Sequence, residues 1–160
     1  EKEGLLHVAA IFTETADNER EHAKIFYDHI IRNLGAVIIH VDADYPASVG
    51  STWENLEAAA AGEHEEFTLL YKNAAEVAKE EGYDKIAESF TEIAEVEEQH
   101  YLRYRALADV VKDGKYFKRE HKVYWKCRNC GYIHEGEEAP KVCPACKHAQ
   151  KYFEVTCFEQ

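Results

Sequence analysis

NEREHAKIF, residues 18–26, lies in a stretch whose apolar residues recur at helical spacing, yet it sets Glu19 and His22 on the apolar side. Working outward, Leu5, Val8, Phe12, Thr15, Glu19, His22, Phe26 and Ile30 advance in steps of three or four. They trace one face of a helix that ends near Leu34-Gly35. A second helix starts at Ser51-Thr52-Trp53-Glu54, which has the Ser-x-x-Glu form of a capping box, and its stripe runs Leu56, Ala59, Glu63, Glu66, Leu70, Ala74, Val77. A third follows the turn at Gly82, with Ile86, Phe90, Ile93, Glu97, His100, Tyr104 and Leu107 on one face until Asp113-Gly114 stops it. Acidic or imidazole side chains interrupt the middle of every stripe.

The sequence therefore predicts helices over about 3–34, 52–80 and 83–113. The short turn at Gly82 makes the second and third antiparallel neighbours, whereas GAVIIHVDADYPASVG, residues 35–50, is long enough to cross a bundle. That pattern suits a mainly α, ferritin-like four-helix bundle with three helices in this chain. An internal repeat supports it. Sliding the chain by 78 residues aligns 3–26 with 81–104, and nine of 24 positions are identical, among them Glu19/Glu97 and His22/His100. In the second copy a whole helix precedes Glu81-Gly82; the first copy has none, so a helix of about 28 residues is expected upstream of Glu1 or from another chain.

Glu19, His22, Glu63, Glu66, Glu97 and His100 all occupy positions where the stripes predict burial. Ionised carboxylates in an apolar interior cost several kcal/mol each unless a cation compensates them. The stripes contain no Arg or Lys, and a Glu three residues before a His presents both to one point inside a bundle. Two such motifs with further glutamates match the di-iron or di-manganese carboxylate sites of helical bundles; oxygen donors with imidazole suit iron, manganese or zinc. Glu21, His64, Glu65 and Glu98 fall off the stripes and read as solvent-facing. Tyr71 and Tyr104 sit at core spacing, where a phenol could also hydrogen-bond a metal ligand.

After Gly114 the character changes. KYFKREHK, 115–122, is basic and reads as a linker (114–122) between a bundle domain, 1–113, and a small domain, 123–160. In the latter, Cys127-x-x-Cys130 and Cys143-x-x-Cys146 make a tetrathiolate site for iron or zinc, around which Tyr124, Trp125, Tyr132 and Phe153 shield the sulfurs. Cys157 alternates with Phe153 and Val155 and is expected to pack as a small apolar residue.

The formal net charge of −12 repels nucleic acid. No run of about 18 uncharged apolar residues exists to span a membrane. The opening EKEGLLHVAA lacks the features of a secretory signal, so the expectation is cytoplasmic, and in such a reducing compartment the two Cys-x-x-Cys pairs read as metal-binding rather than as disulfides. The chain has no methionine, which points to a missing beginning.

NEREHAKIF, AAGEHEEFTLLY, EVEEQHYLRY, and WKCRNCGY with APKVCPAC together resemble the rubrerythrin family over essentially the whole chain. The resemblance implies a ferritin-like di-iron domain followed by a rubredoxin-like domain. It implies ligands from Glu63-x-x-Glu66, Glu19-x-x-His22 and Glu97-x-x-His100, with one iron exchanging a Glu for a His at the positions matching Glu66 and His22. The implied activity is a peroxidase that reduces hydrogen peroxide to water in oxidative-stress protection, with electrons relayed through the tetrathiolate iron. No Gly-rich dinucleotide fingerprint is present, so NADH would act through a separate reductase or a rubredoxin-type donor. The family also implies a homodimer or larger assembly, with helix exchange as one way to complete the bundle. Its first helix, bearing a further Glu ligand, has no counterpart in this sequence, so six bundle ligands stand where seven are expected. Two rival readings share the ligand set: a ferroxidase or iron-storage protein, and a non-catalytic protein with zinc in both sites.

Overall fold

The computed structural model describes residues 1–43, 47 and 49–157; residues 44–46 and 48 of the long connection, and 158–160 of the expected small domain, lie outside the described residues. Helix α1 spans Leu6–Leu34. Helix α2, Thr52–Glu65, passes through a π-helical turn, Glu66–Leu70, into α3, Tyr71–Glu80. Helix α4 spans Asp84–Lys112. Strands β1 (Lys118–Cys127), β2 (Ile133–Glu138) and β3 (Phe153–Thr156) follow. The contacts divide the chain into two units, residues 15–108 and residues 1–14 with 109–160.

Within residues 15–108, local chemistry sets the helix ends. Ser51 Oγ accepts from the Glu54 amide at 3.3 Å, while the Ser51 amide donates to Glu54 Oε2 at 2.8 Å, so the expected capping box forms. Such a cap contributes about 1 kcal/mol. At the other end, Gly82 takes φ +82°, a left-handed conformation that L side chains resist, and the Tyr83 amide reaches back to the Ala78 carbonyl at 2.8 Å. That turn reverses the chain into α4.

The core of this unit is built from Leu56, Ala60, Ala78, Ala87, Ile93, Tyr104 and Ala108. Phe26 of α1 stacks on Phe90 of α4 with centroids 4.7 Å apart, and Tyr71 of α3 meets both rings at 5.8 Å. Two expected core positions move outward: Leu70 and Val77 are 49% and 53% exposed. The π turn inserts an extra residue into the helical register, so beyond Glu66 the inward face passes to Tyr71 and Ala78 instead. A uniform 3.6-residue reading could not register that phase change.

In the other unit, three antiparallel strands pair in the order β2-β1-β3. Trp125, Cys127, Ala139, Cys143 and Phe153 form its core, and the Trp125 indole N–H donates to the Gly136 carbonyl at 2.9 Å. Tyr124, expected to shield the sulfurs, is exposed instead, because alternation along β1 points it to the face opposite Trp125. Cys157, expected to be packed, is also exposed: β3 ends at Thr156, so the alternation that predicted its burial has already stopped. Among the described residues, no helix is long and apolar enough to cross a membrane.

Candidate metal centres

The stripes of α1, α2 and α4 converge on one cluster. His22 Nδ1 lies 2.9 Å from Glu97 Oε1 and 3.2 Å from Glu19 Oε2. His100 Nδ1 lies 2.9 Å from Glu97 Oε2, 3.3 Å from Glu19 Oε1 and 3.6 Å from Glu63 Oε2. Ligand atoms from Glu19, Glu63, Glu97 and His100 all fall within 4.8 Å of one another. Glu97 is fully buried, and Glu63, His22 and His100 are each less than a tenth exposed.

This is where a cation is required. Glu19 Oε1, Glu63 Oε2, both Glu97 oxygens and His100 Nδ1 are buried without any hydrogen bond of acceptable geometry, despite their short separations. Orphaned polar atoms at that density are costly unless something satisfies all of them together. Three carboxylates and an imidazole form a hard, mixed oxygen–nitrogen donor set that fits iron, manganese or zinc. The residues present therefore fit a carboxylate- and histidine-bound metal pair.

Electrostatics of the metal-free chain agree. Contacts with Glu19, Glu63 and Glu97 raise His100 to about 11 against the desolvation that opposes its charge. Burial raises Glu63. Burial also pushes Glu19 upward, but its contacts with His100 and His22 outweigh this and leave it lowered. Glu66 is raised to about 7, first by burial and then by the charges of Glu63, Glu97 and Glu19. The Tyr71 hydroxyl hydrogen-bonds Glu66, and burial together with the nearby carboxylates keeps that phenol protonated.

The cysteine centre is built by two matching knuckles. In the first, the Gly131 amide donates to the Cys127 carbonyl at 2.8 Å and the Cys127 amide to the Tyr132 carbonyl at 2.8 Å; in the second, Lys147 donates to Cys143 at 3.0 Å and Cys143 to His148 at 2.8 Å. Each knuckle needs a left-handed residue after its second cysteine, Gly131 at φ +77° and Lys147 at φ +63°. Cys127 and Cys146 sulfurs lie 3.7 Å apart, as do those of Cys130 and Cys143. A tetrahedral metal with sulfurs at about 2.3 Å sets them about 3.8 Å apart, far beyond a disulfide bond. The His148 amide lowers Cys146 to about 5, which favours a thiolate there.

The rubrerythrin family pattern matches residues 1–108, and the rubrerythrin rubredoxin-like domain matches residues 125–154. The chain belongs to the rubrerythrin family. The rubrerythrin of Porphyromonas gingivalis is 50% identical over 96% of this chain and 75% of its own length, and that of Clostridium perfringens 48% identical over 96% and 80%. A solved structure of nigerythrin in a mixed-valence state superposes with a TM-score of 0.61 at 26% identity, covering 97% of this chain and 72% of that one. Membership places the chain among di-iron oxidoreductases with a ferritin-like bundle and a rubredoxin-like domain.

Of the residues that the rubrerythrin motifs single out, Glu19, Glu63, Glu97 and His100 share one cluster and His22 joins it through Glu97 and Glu19. Glu66 stands beside it, within reach of the charges of three of its carboxylates and tied to Tyr71. The four cysteines meet in the second group. Glu21, His64, Glu65 and Glu98 face solvent, as their off-stripe positions indicate. Sequence reasoning missed Asn18, whose Oδ1 lies 3.3 Å from His100 Nε2; the contact joins residues 82 positions apart and leaves no local signal in the sequence.

Proposed function

We propose that this chain reduces hydrogen peroxide to water at an iron pair held by Glu19, His22, Glu63, Glu66, Glu97 and His100. Electrons would arrive through iron bound by Cys127, Cys130, Cys143 and Cys146. The observation that carries this reading is the set of five orphaned, buried ligand atoms among Glu19, Glu63, Glu97 and His100 in a chain that also holds four sulfurs at tetrahedral spacing. Related nigerythrin has been solved in an all-ferrous state, which favours iron over zinc.

Cleaving the O–O bond of peroxide into two waters takes two electrons and two protons. Bound ferrous ions would supply the electrons and a Lewis-acid contact for the peroxide oxygens. The chain supplies position and protons. Glu97, with one oxygen toward each imidazole, and Glu19, which makes the matching pair of contacts from α1, would help hold the ions. Glu66, raised to about 7 when no cation offsets its neighbours' charge, would give up that proton on metal binding and, when it lets go of the metal, could relay one to a departing oxygen. The hydrogen-bonded Tyr71 orients that carboxyl, while Phe26 and Phe90 wall off water behind the phenol. Reduction of the cysteine centre falls to an outside protein, a nicotinamide-dependent reductase or a rubredoxin-type donor, within a homodimer or larger assembly. The exposed side chains of Leu69, Leu70 and Val77 offer apolar surface for a further helix in that assembly.

A ferroxidase would use the same cluster without need of the cysteine centre, so the rubredoxin-like domain favours the peroxidase. The test is optical. Iron-loaded protein should be coloured when oxidised, bleach on anaerobic reduction, and regain its colour on adding about 1.5 equivalents of hydrogen peroxide per iron pair, because three ferrous ions hold three electrons and each peroxide takes two. A protein that takes up only zinc from its host, or whose reduced cysteine centre ignores peroxide, contradicts the reading.

A further inference from the structure

The formal charge of −12 is unevenly placed along the chain. Residues 1–114 carry ten Lys and Arg against 25 Asp and Glu, whereas residues 115–160 carry nine against six, so a strongly acidic chain ends in a cationic segment. Its positive side chains gather where the sulfurs meet solvent. Cys127 and Cys143 are buried, but Cys130 is exposed and Cys146 partly so, and these two form the edge at which the centre can be approached. Arg128 lies between the first two cysteines, Lys147 follows the last, and both are exposed, as is Lys151. Lys147 Nζ donates to the Pro144 carbonyl at 2.7 Å, and Lys151 Nζ sits 5.7 Å from the centre of the Tyr152 ring. Of the carboxylates in the small domain, Glu154 is mostly buried and held by two cations, Lys126 at 3.3 Å and Arg128. The others on the sheet recede from the sulfurs along β2: Ile133 pairs with Lys126 beside Cys127, Glu135 pairs with Tyr124, and Glu138 pairs with Lys118 and is tied to Lys118 and Lys141.

We propose that the edge formed by Cys130 and Cys146 is the docking surface for an acidic one-electron carrier protein. Electron transfer between proteins falls off steeply with distance, so a donor must reach these sulfurs rather than the buried pair. Only charges within about 10 Å act strongly on an approaching partner at 0.1 M salt, so the local cations outweigh the acidic remainder of the chain. Iron held by four thiolates adds one or two negative charges against a formal excess of three positive ones, so the loaded segment does not turn acidic. Pro144 and Ala145, exposed and uncharged beside the sulfurs, lose water at little cost, while the surrounding cations set orientation and encounter rate. One electron crosses, oxidising the carrier and taking ferric iron to ferrous, with no bond made or broken. The inference deepens the proposed function by giving the chemistry of the electron donor; it rests on the cysteine centre as the point of entry and not on what the bundle reduces.

Reduced flavodoxin, a small acidic flavin protein, serves as the probe, with the full iron-loaded chain as acceptor and no peroxide present. Net charge and local charge call for opposite salt effects. Two acidic proteins meeting at random react faster as salt screens their repulsion. Docking at the basic edge instead makes reduction of the ferric cysteine centre slow at least about threefold between about 20 and 300 mM salt. Lys147→Glu with Lys151→Glu should abolish or reverse that slope, whereas Lys72→Glu with Lys79→Glu, an equal change of net charge on α3, should keep it. Retention of the visible spectrum of the ferric centre shows that it is intact in each variant. Zinc-loaded wild-type chain supplies a readout without redox chemistry: oxidised flavodoxin should shift the backbone amide NMR signals of Arg128, Asn129, Cys130 and Lys147 and leave those of Glu135, Glu137 and Glu138 in place. A wild-type rate that rises with salt, a slope insensitive to the Lys147 and Lys151 changes, or amide shifts away from the cysteine edge overturns the proposal. A centre that takes electrons on these terms while the bundle ignores peroxide sinks the peroxidase reading and leaves this one standing; a centre that dithionite reduces and flavodoxin does not sinks this one alone.

Discussion

His22 on α1 and His100 on α4 stack with centroids 6.1 Å apart and planes 28° from parallel. Two imidazoles face each other in a helical interior only because Glu97 lies between them, one oxygen 2.9 Å from each Nδ1. The arrangement is poor as a set of ion pairs, since the buried oxygens of Glu97 form no hydrogen bond, and good as a cage for cations.

Glu97→Leu separates these two roles. In the metal-free chain it removes one of the carboxylates that compensate the charged, buried His100 and should lower stability by about 3–5 kcal/mol. It should also abolish the stabilisation that added metal gives the wild type. Urea denaturation with and without chelator reads both effects. A metal-free variant as stable as the wild type, or one that added metal still stabilises, would contradict these roles.

Metal uptake should depend steeply on pH. In the metal-free chain His100 is raised to about 11 and Glu66 to about 7, so the stability each contributes is present at low pH and fades as pH rises through those values. Metal binding runs the other way, because it displaces the protons. Near pH 8 the apparent affinity should rise about tenfold per pH unit as His100 gives up one proton, and near pH 6 about a hundredfold as Glu66 adds a second. Calorimetry in buffers of different ionisation enthalpy counts the protons released. An affinity flat across this range would contradict the cluster electrostatics.

Changing Cys127 and Cys143 together to serine should remove metal from the cysteine centre and unfold its small core, which contains both residues. The bundle cluster should keep its metal. Steady-state peroxide turnover with an external reductant should fall to background, and unaltered turnover would contradict the relay.

Gly131 and Lys147 hold equivalent left-handed positions with φ +77° and +63°. Gly131→Ala should destabilise the metal-loaded cysteine centre by about 1–2 kcal/mol. Lys147→Gly should stabilise it by up to about 1 kcal/mol, the relief of strain being offset by glycine's larger entropy loss. Chelator-induced metal loss followed by absorbance orders the three proteins.

Much of this site could be read from the sequence because its signals are local. Helical periodicity places Glu19, His22, Glu63, Glu97 and His100 inward, and the cysteine spacing alone specifies a tetrahedral cage. What escaped depended on the backbone or on a distant partner. The π turn at Glu66–Leu70 shifted the buried face from Leu70 and Val77 to Tyr71 and Ala78. Tyr124 was assigned to the wrong face of β1, and Cys157 was given a burial that ended with the strand at Thr156. The Asn18–His100 contact joins residues 82 positions apart, and periodicity carries no information about such a pairing.

The most direct measurement is anomalous diffraction at the iron edge from crystals of protein purified without added metal. The account predicts two peaks enclosed by Glu19, His22, Glu63, Glu66, Glu97 and His100, and a third among the four cysteines. Glutamates turned outward to water with no anomalous signal between them would contradict it.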